Sequence, residues 1–370
     1  PDPMAPALQA EVDARHALVS GTSNDGDWLM KKDVWDAGLT IVNCVLDAER
    51  KRIGLHKDMK DVLIDDCNFV ANEVQMGCPQ FLEIRNSNFY GRDNSGMSIY
   101  TYGGWCISVH HCTAEDYMPN TRDTYQGRFY TCSAYGNRQE NIYLGENTTI
   151  DMTVSPTFWN QNTGEQFMWE FMPYTNPLPL QTVVDSETLV LVDPIPSSEF
   201  NEVASGGQVH WHCDVVITGG KGTGQYRRIA SYDAGTRTIE LVNPFEVPPD
   251  ADSRIRLARP LRRTAIYGNQ LDGKPTCVRD GNVNSFATAN NGVTVFGSGI
   301  DIIVANNVFH SLRGGVSTWP VNMFSRYEDN DFQTTYAGFR DGGANFTVTR
   351  GNTVDSVITK WYRTGDFVDD

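Results

Sequence analysis

The chain reads as an all-β protein whose main body is a parallel β-solenoid, with coils of about 22 residues and one inserted small β-domain. Three observations predict this. Files of like residues recur at that spacing, a second β-rich run follows each file by about ten residues, and the rhythm breaks once, near the centre.

Residues 1–34 carry no copy of the pattern and are assigned to an N-terminal segment or cap. No basic-then-apolar signal segment opens them. The first run of coils spans 35–174. Its strands end on a small residue: Thr40-Ile-Val-Asn-Cys44, Leu63-Ile-Asp-Asp-Cys67, Glu83-Ile-Arg-Asn-Ser87, Ser108-Val-His-His-Cys112 and Arg128-Phe-Tyr-Thr-Cys132. The steps are 23, 20, 25 and 20 residues. In a stack about 4.8 Å per coil, equivalent positions touch their own kind, so the cysteines read as inward, reduced, small apolar residues. The second run, 263–370, repeats the theme with Asn269, Asn307, Asn330 and Asn352, whose amides can satisfy one another and the corner backbone. Asn147-Thr-Thr and Asn345-Phe-Thr match the glycosylation tripeptide, a pattern that also arises by chance.

Between the runs, 175–262 holds short alternating strands joined by turn residues, hence an inserted small β-domain. Its Gly219-Gly-Lys-Gly-Thr-Gly224 run lacks the Lys-Ser/Thr ending and following helix of a phosphate loop. His210 and His212 alternate on one strand without a third ligand nearby, and no metal site is expected.

The 370 residues carry 30 Lys+Arg against 46 Asp+Glu, a net charge of −16, which leaves no basic face for nucleic acid. Nor does any apolar run reach the length of a membrane helix. The eight cysteines contain no CxxC pair.

The ladders and coil length resemble the right-handed parallel β-helix proteins of the pectate-lyase-like superfamily. The stretch Gly222-Thr-Gly-Gln-Tyr-Arg-Arg-Ile-Ala-Ser-Tyr-Asp233 with Pro244-Phe-Glu-Val-Pro-Pro resembles a small β-module of some phage tail proteins and β-helix carbohydrate-active enzymes. The resemblance implies binding or cleavage of long saccharides along a groove, in a secreted protein of bacterial or phage origin, acting as monomer or homotrimer. The Asn-Thr-Asp, Asp-Asp, Gly-His-Gly and Arg-Ile-Lys set of polygalacturonase-like hydrolases is missing, so no catalytic residue carries over.

The groove face is read from the second strand of each coil: Ile53-Gly-Leu-His56, Val74-Gln-Met-Gly77, Met97-Ser-Ile-Tyr100, Ile142-Tyr-Leu-Gly145, Phe167-Met-Trp-Glu170, Val293-Thr-Val-Phe296, Val316-Ser-Thr-Trp319 and Ala337-Gly-Phe-Arg340. Alternation turns the first and third positions inward and the second and fourth out. His56, Tyr100, Tyr143, Phe296, Trp319 and Arg340 are therefore expected to bind sugar, the aromatic rings stacking on its C–H faces. Hydrolysis requires two carboxyl groups. Glu170, between Trp169 and Phe171, is the first candidate, with Glu146, Asp116 and Asp341 as partners. Glu146 and Asp341 qualify only if their strands end there. Glu165, Asp280 and Glu328-Asp329 are weaker. The expected function is a polysaccharide-cleaving glycoside hydrolase without cofactor. One alternative is a polysaccharide lyase, with His56, Tyr100 or Arg340 in its site and a calcium ion as its cofactor. The other is a non-catalytic glycan-binding tailspike or adhesin.

Overall fold

The computed structural model describes residues 38–47, 52–54, 60–70, 73–76, 79–90, 98–101, 104–115, 128–132, 139–152, 167–172, 174–195, 207–208, 213–273, 291–312, 314–319, 321–333, 337–341, 346–355 and 359–363. Among these, all regular structure is β. Outside the central interruption and one extra two-residue strand, three parallel sheets of 10, 9 and 9 strands take successive strands of the chain in turn, as a parallel β-helix would require. The first sheet includes Lys60–Asp65, Gln80–Arg85, Gly104–His110, Gln139–Gly145, Leu261–Tyr267 and Gly299–Ala305. The second holds short strands such as Asn68–Val70 and Asn88–Tyr90, and the third strands such as Glu73–Met76, Phe167–Met172 and Asn291–Gly297.

Register explains the core. Ile64, Ile84, Val109, Leu144, Ile266 and Val304 lie side by side across the first sheet, and each is buried. Phe69 stacks on Phe89 at 4.9 Å, and Phe309 on Phe332 at 4.9 Å, along the second sheet. Burying such side chains contributes about 2 kcal/mol each before conformational entropy is counted.

First and second sheets meet at a corner of one left-handed residue followed by one ladder residue. The corner residues are Asn43, Asp66, Asn86, His111, Glu146, Gly268, Asn306, Asp329 and Gly351, with φ between 50° and 67°. The ladder behind them runs Cys44, Cys67, Ser87, Cys112, Asn147, Asn269, Asn307, Asn330 and Asn352. Asn307 shows its chemistry. Its Nδ2 donates to Ile266 O of the preceding passage at 3.0 Å, and its Oδ1 accepts from Asn269 N at 2.9 Å. Cys112 and Cys67 lie behind their corners with their thiols on backbone carbonyls, and both are free.

Two expectations are corrected here. Cys132 does not belong to the ladder; it lies in Arg128–Cys132 of the third sheet, opposite Glu170. The fifth ladder position is Asn147, 35 residues after Cys112, because the intervening passage is long. Asn147 is also unsuited to glycosylation, being buried with its amide bonded to Val109 O at 2.9 Å.

The break in the rhythm is an antiparallel sheet closed on itself. Tyr226–Asp233, Asp214–Gly219, Arg254–Ala258, Leu178–Val183, Thr188–Leu191 and Thr238–Leu241 pair in that order, and the last returns to the first. Its interior holds Leu189, Val215, Ile229, Ile239, Ile255 and Leu257. The glycine run forms the turn after Asp214–Gly219, with Gly224 N donating to Ile217 O. Gly224 has φ 94°, and a Cβ there would come 3.1 Å from the Phe346 ring, so glycine lets this turn sit on the stacked pair Phe324–Phe346. Val216 packs with Ile300 and Met323, and Asp214 forms a buried ion pair with Arg262.

Replacing Asn307 with leucine would orphan the Asn269 N–H and the Ile266 carbonyl in the core. Each such loss costs 1–3 kcal/mol, so Asn307→Leu is expected to lower unfolding stability by about 3 kcal/mol or more, read from a urea denaturation midpoint.

Candidate functional site

The corner geometry singles out two residues. Asn, Asp and Gly tolerate a left-handed backbone, and His is enriched there among other residues. Glu is not. Yet successive passages place His111 and then Glu146 at the corner, with φ 54° and 56°. Their side chains meet, His111 Nε2 lying 2.8 Å from Glu146 Oε2, with 54% and 47% of each exposed. An outlier of this kind, held at about 1 kcal/mol of strain, points toward function.

A row of groups extends from this pair across the outer face of the first sheet. His111 Nδ1 lies 2.8 Å from His110 Nδ1, and His110 Nε2 lies 3.2 Å from Glu83 Oε1. Arg85 donates to Glu83 Oε1 at 3.1 Å and to Asp65 Oδ2 at 2.8 Å. Strand alternation produces the row, because Glu83, Arg85 and His110 occupy outward positions while Ile84 and Val109 face in. The Arg85 and Asn86 hydrogen bonds hold the Asp65 carboxyl below its usual range.

The imidazoles and carboxylates form a continuous chain of contacts in which each imidazole meets a carboxylate through Nε2 and the other ring through Nδ1, the donor and acceptor roles depending on the tautomers.

Beside the row lies an aromatic floor. Tyr143 faces out from Gln139–Gly145, and its ring centroid is 6.2 Å from that of His110. The ring folds over Gly145, where an added Cβ would come 2.1 Å from Tyr143 Cζ, so only glycine leaves room. Gly145 stands in register with His110 on one side and Tyr267 on the other, and Tyr267 is 44% exposed. Partial burial first, then the nearby Glu146 and Tyr267, push the Tyr143 hydroxyl above its ordinary value of 10.0. It stays a donor at neutral pH.

The expected groove residues thus divide between two sheets. Tyr143 and Glu146 come together, but on the first sheet: Ile142-Tyr-Leu-Gly145 is not a copy of the third-sheet strand. The condition on Glu146 is met, since its strand ends at Gly145. On the third sheet Glu170 lies in Phe167–Met172, opposite Cys132. Tyr100 falls opposite Gln75, and Arg340 opposite Ser317, so both occupy the second position of the repeat and not the fourth. Asp341 is the last residue of its strand, opposite Thr318. Phe296 and Trp319 are half-buried and meet edge to face at 4.8 Å. The neighbouring outward residues Thr294 and Ser317 are fully buried. Glu328 is engaged by Arg326 at 2.9 Å and Arg350 at 3.3 Å. His56, Asp116, Glu165, His210, His212 and Asp280 lie outside the described residues.

Glu83, His110, His111 and Tyr267 were missed. Counting the ladder through Asn147 would have found two of the row's members, since the residue before each ladder position is Asn, Asp or Gly except at His111 and Glu146.

Among the described residues no group of three or more His, Cys, Asp or Glu converges to hold a metal ion. No family model matches the chain, and no curated protein matches it.

Two outcomes test the site's construction. Glu146→Asn relieves the left-handed strain and should raise unfolding stability by about 1 kcal/mol, seen in urea titrations, although it removes the contact with His111. Gly145→Ala should displace the Tyr143 ring and return its ionisation toward 10.0 in an ultraviolet pH titration. Because the folded value is raised, the Tyr143 contribution to stability is complete below the unfolded value and is lost as pH rises through the folded one. Tyr143→Phe should flatten that alkaline fall.

Proposed function

We propose that the chain winds as a right-handed parallel β-helix with most coils near 22 residues, carries the small β-barrel as an insertion, and hydrolyses a polysaccharide bound across the outer face of its first sheet. One observation carries this reading: the row Glu83–His110–His111–Glu146 runs beside Tyr143 and Tyr267.

The tyrosine rings suit the C–H face of a sugar ring, and the flanking carboxylates and imidazoles suit its hydroxyls. Hydrolysis needs one group to protonate the leaving oxygen and another to activate water. In this reading a histidine of the row, acting as general acid, gives a proton to the glycosidic oxygen as the anomeric C–O bond breaks. Water adds at the anomeric carbon, and its proton enters the row at Glu146. Such a substrate places the protein's work outside the cell.

Hydrolysis is favoured over elimination by the state of Arg85. A lyase needs a cation for the uronate carboxylate, and Arg85 beside the row is already held by Asp65 and Glu83.

The test is incubation of the protein, and of a Glu146→Gln variant, with neutral and acidic polysaccharides, following reducing ends and ultraviolet absorbance together. New reducing ends without absorbance, reduced about 100-fold or more in the variant, are expected. Absorbance rising with the reducing ends would replace hydrolysis with elimination. Binding without turnover would leave a glycan-binding protein, and neither binding nor turnover would overturn the reading.

A further inference from the structure

The nine-place ladder holds one pair of cysteines in adjacent positions. Val42 is in register with Asp65, and Val45 with Asn68, so Cys44 and Cys67 face each other across neighbouring parallel strands. Asn68 N donates to Cys44 O at 2.8 Å, which pins the two corners together at this point. Adjacent parallel strands lie about 4.8 Å apart, inside the 4.4–6.8 Å Cα separation that disulfides span. The thiols have parallel settings: Cys44 Sγ lies 3.2 Å from Val42 O, and Cys67 Sγ 3.2 Å from Asp65 O. Cys67 Sγ also reaches back to Ile41 O at 3.5 Å, leaning toward the passage that carries Cys44. Cys44 is exposed and Cys67 buried, and both are free thiols here.

The rest of the ladder cannot do this. Ser87 separates Cys67 from Cys112, and Asn147 follows Cys112. Burial pushes the Cys112 thiol up to about 12, so it stays protonated and unreactive.

We propose that Cys44 and Cys67 form a reversible oxidation site, in which hydrogen peroxide converts the pair to a disulfide that ties the first two corners of the stack. The solvent-facing Cys44 sulfur attacks the peroxide, the O–O bond breaks, and a sulfenic acid and one water result. The Cys67 sulfur then attacks the Cys44 sulfur, the S–O bond breaks, and a second water leaves with the Cys67 proton. Two thiols are oxidised by two electrons and one peroxide is reduced to two waters. In-register Cβ atoms stand about 1 Å wider than the usual 3.8 Å of a disulfide. The corner must therefore draw in, which leaves the bond strained and readily reduced.

The site is tested by treating the whole folded protein with hydrogen peroxide, blocking remaining thiols, and mapping peptides by mass spectrometry. The expected product is a Cys44–Cys67 linked peptide that dithiothreitol reverses, with Cys112 still a thiol. Serine already occupies the same corner at Ser87, with Oγ donating to Arg85 O at 2.7 Å, so Cys44→Ser is a variant that fits the fold. In it Cys67 should remain a reduced thiol, alkylatable after unfolding. Over-oxidation of Cys44 with Cys67 unlinked, linkage of either cysteine to another partner, or two untouched thiols would each overturn the proposal.

Discussion

The structure depends on a single backbone corner, repeated nine times among the described residues. A one-residue turn between two strands demands a left-handed conformation, and it leaves a backbone N–H and carbonyl facing the interior. The ladder residue behind the corner settles both. Where it is asparagine, one side chain accepts the N–H of one passage and donates to a carbonyl of another, so every rung is a cross-link between neighbours. In the early passages Cys and Ser do a reduced version of the same task, the Cys67 N–H donating to Ser87 Oγ at 3.1 Å. Register follows from these bonds, and the inward files of isoleucine, valine and phenylalanine follow from register.

The same corner creates the site. A left-handed residue at a corner projects its side chain away from the core, and the strand before it presents alternate residues on the same outer face. Histidine and glutamate at two successive corners therefore meet outward residues of three neighbouring strands, so groups more than 60 residues apart in sequence, Glu83 and Glu146, join one hydrogen-bonded row. Strain at Glu146 is tolerable because the corners on either side, His111 and Gly268, already fix the geometry.

The architecture was legible because the ladder residues repeat themselves: Cys44, Cys67, Ser87 and Cys112, then Asn269 to Asn352, stand out from spacing and residue type alone. The change of rhythm after Tyr174 was equally plain. What hid the site was one ambiguous rung. Cys132 lies 20 residues beyond Cys112 and fits the expected step, whereas Asn147 lies 35 beyond it, a passage longer than period-counting anticipates. With Cys132 taken as the rung, Ile142 to Gly145 fell onto the wrong sheet, and the companions of Tyr143 and Glu146 went unnoticed. The third-sheet register slipped for a related reason. Strands of four or five residues with several apolar positions, such as Ala337–Asp341, satisfy alternation in more than one frame.

The inserted barrel leaves and rejoins the stack at almost one point. Tyr174 bridges Ala258, Thr175 N donates to Leu257 O at 2.9 Å, and the flanking first-sheet strands Gln139–Gly145 and Leu261–Tyr267 pair directly with each other. Asn147 N bonds Asn269 Oδ1 at 3.0 Å across 122 residues as though nothing lay between. The barrel is in this sense a cassette. Its gain, loss or exchange over evolutionary time would change what the molecule carries on its flank without asking any rung of the ladder to find a new neighbour.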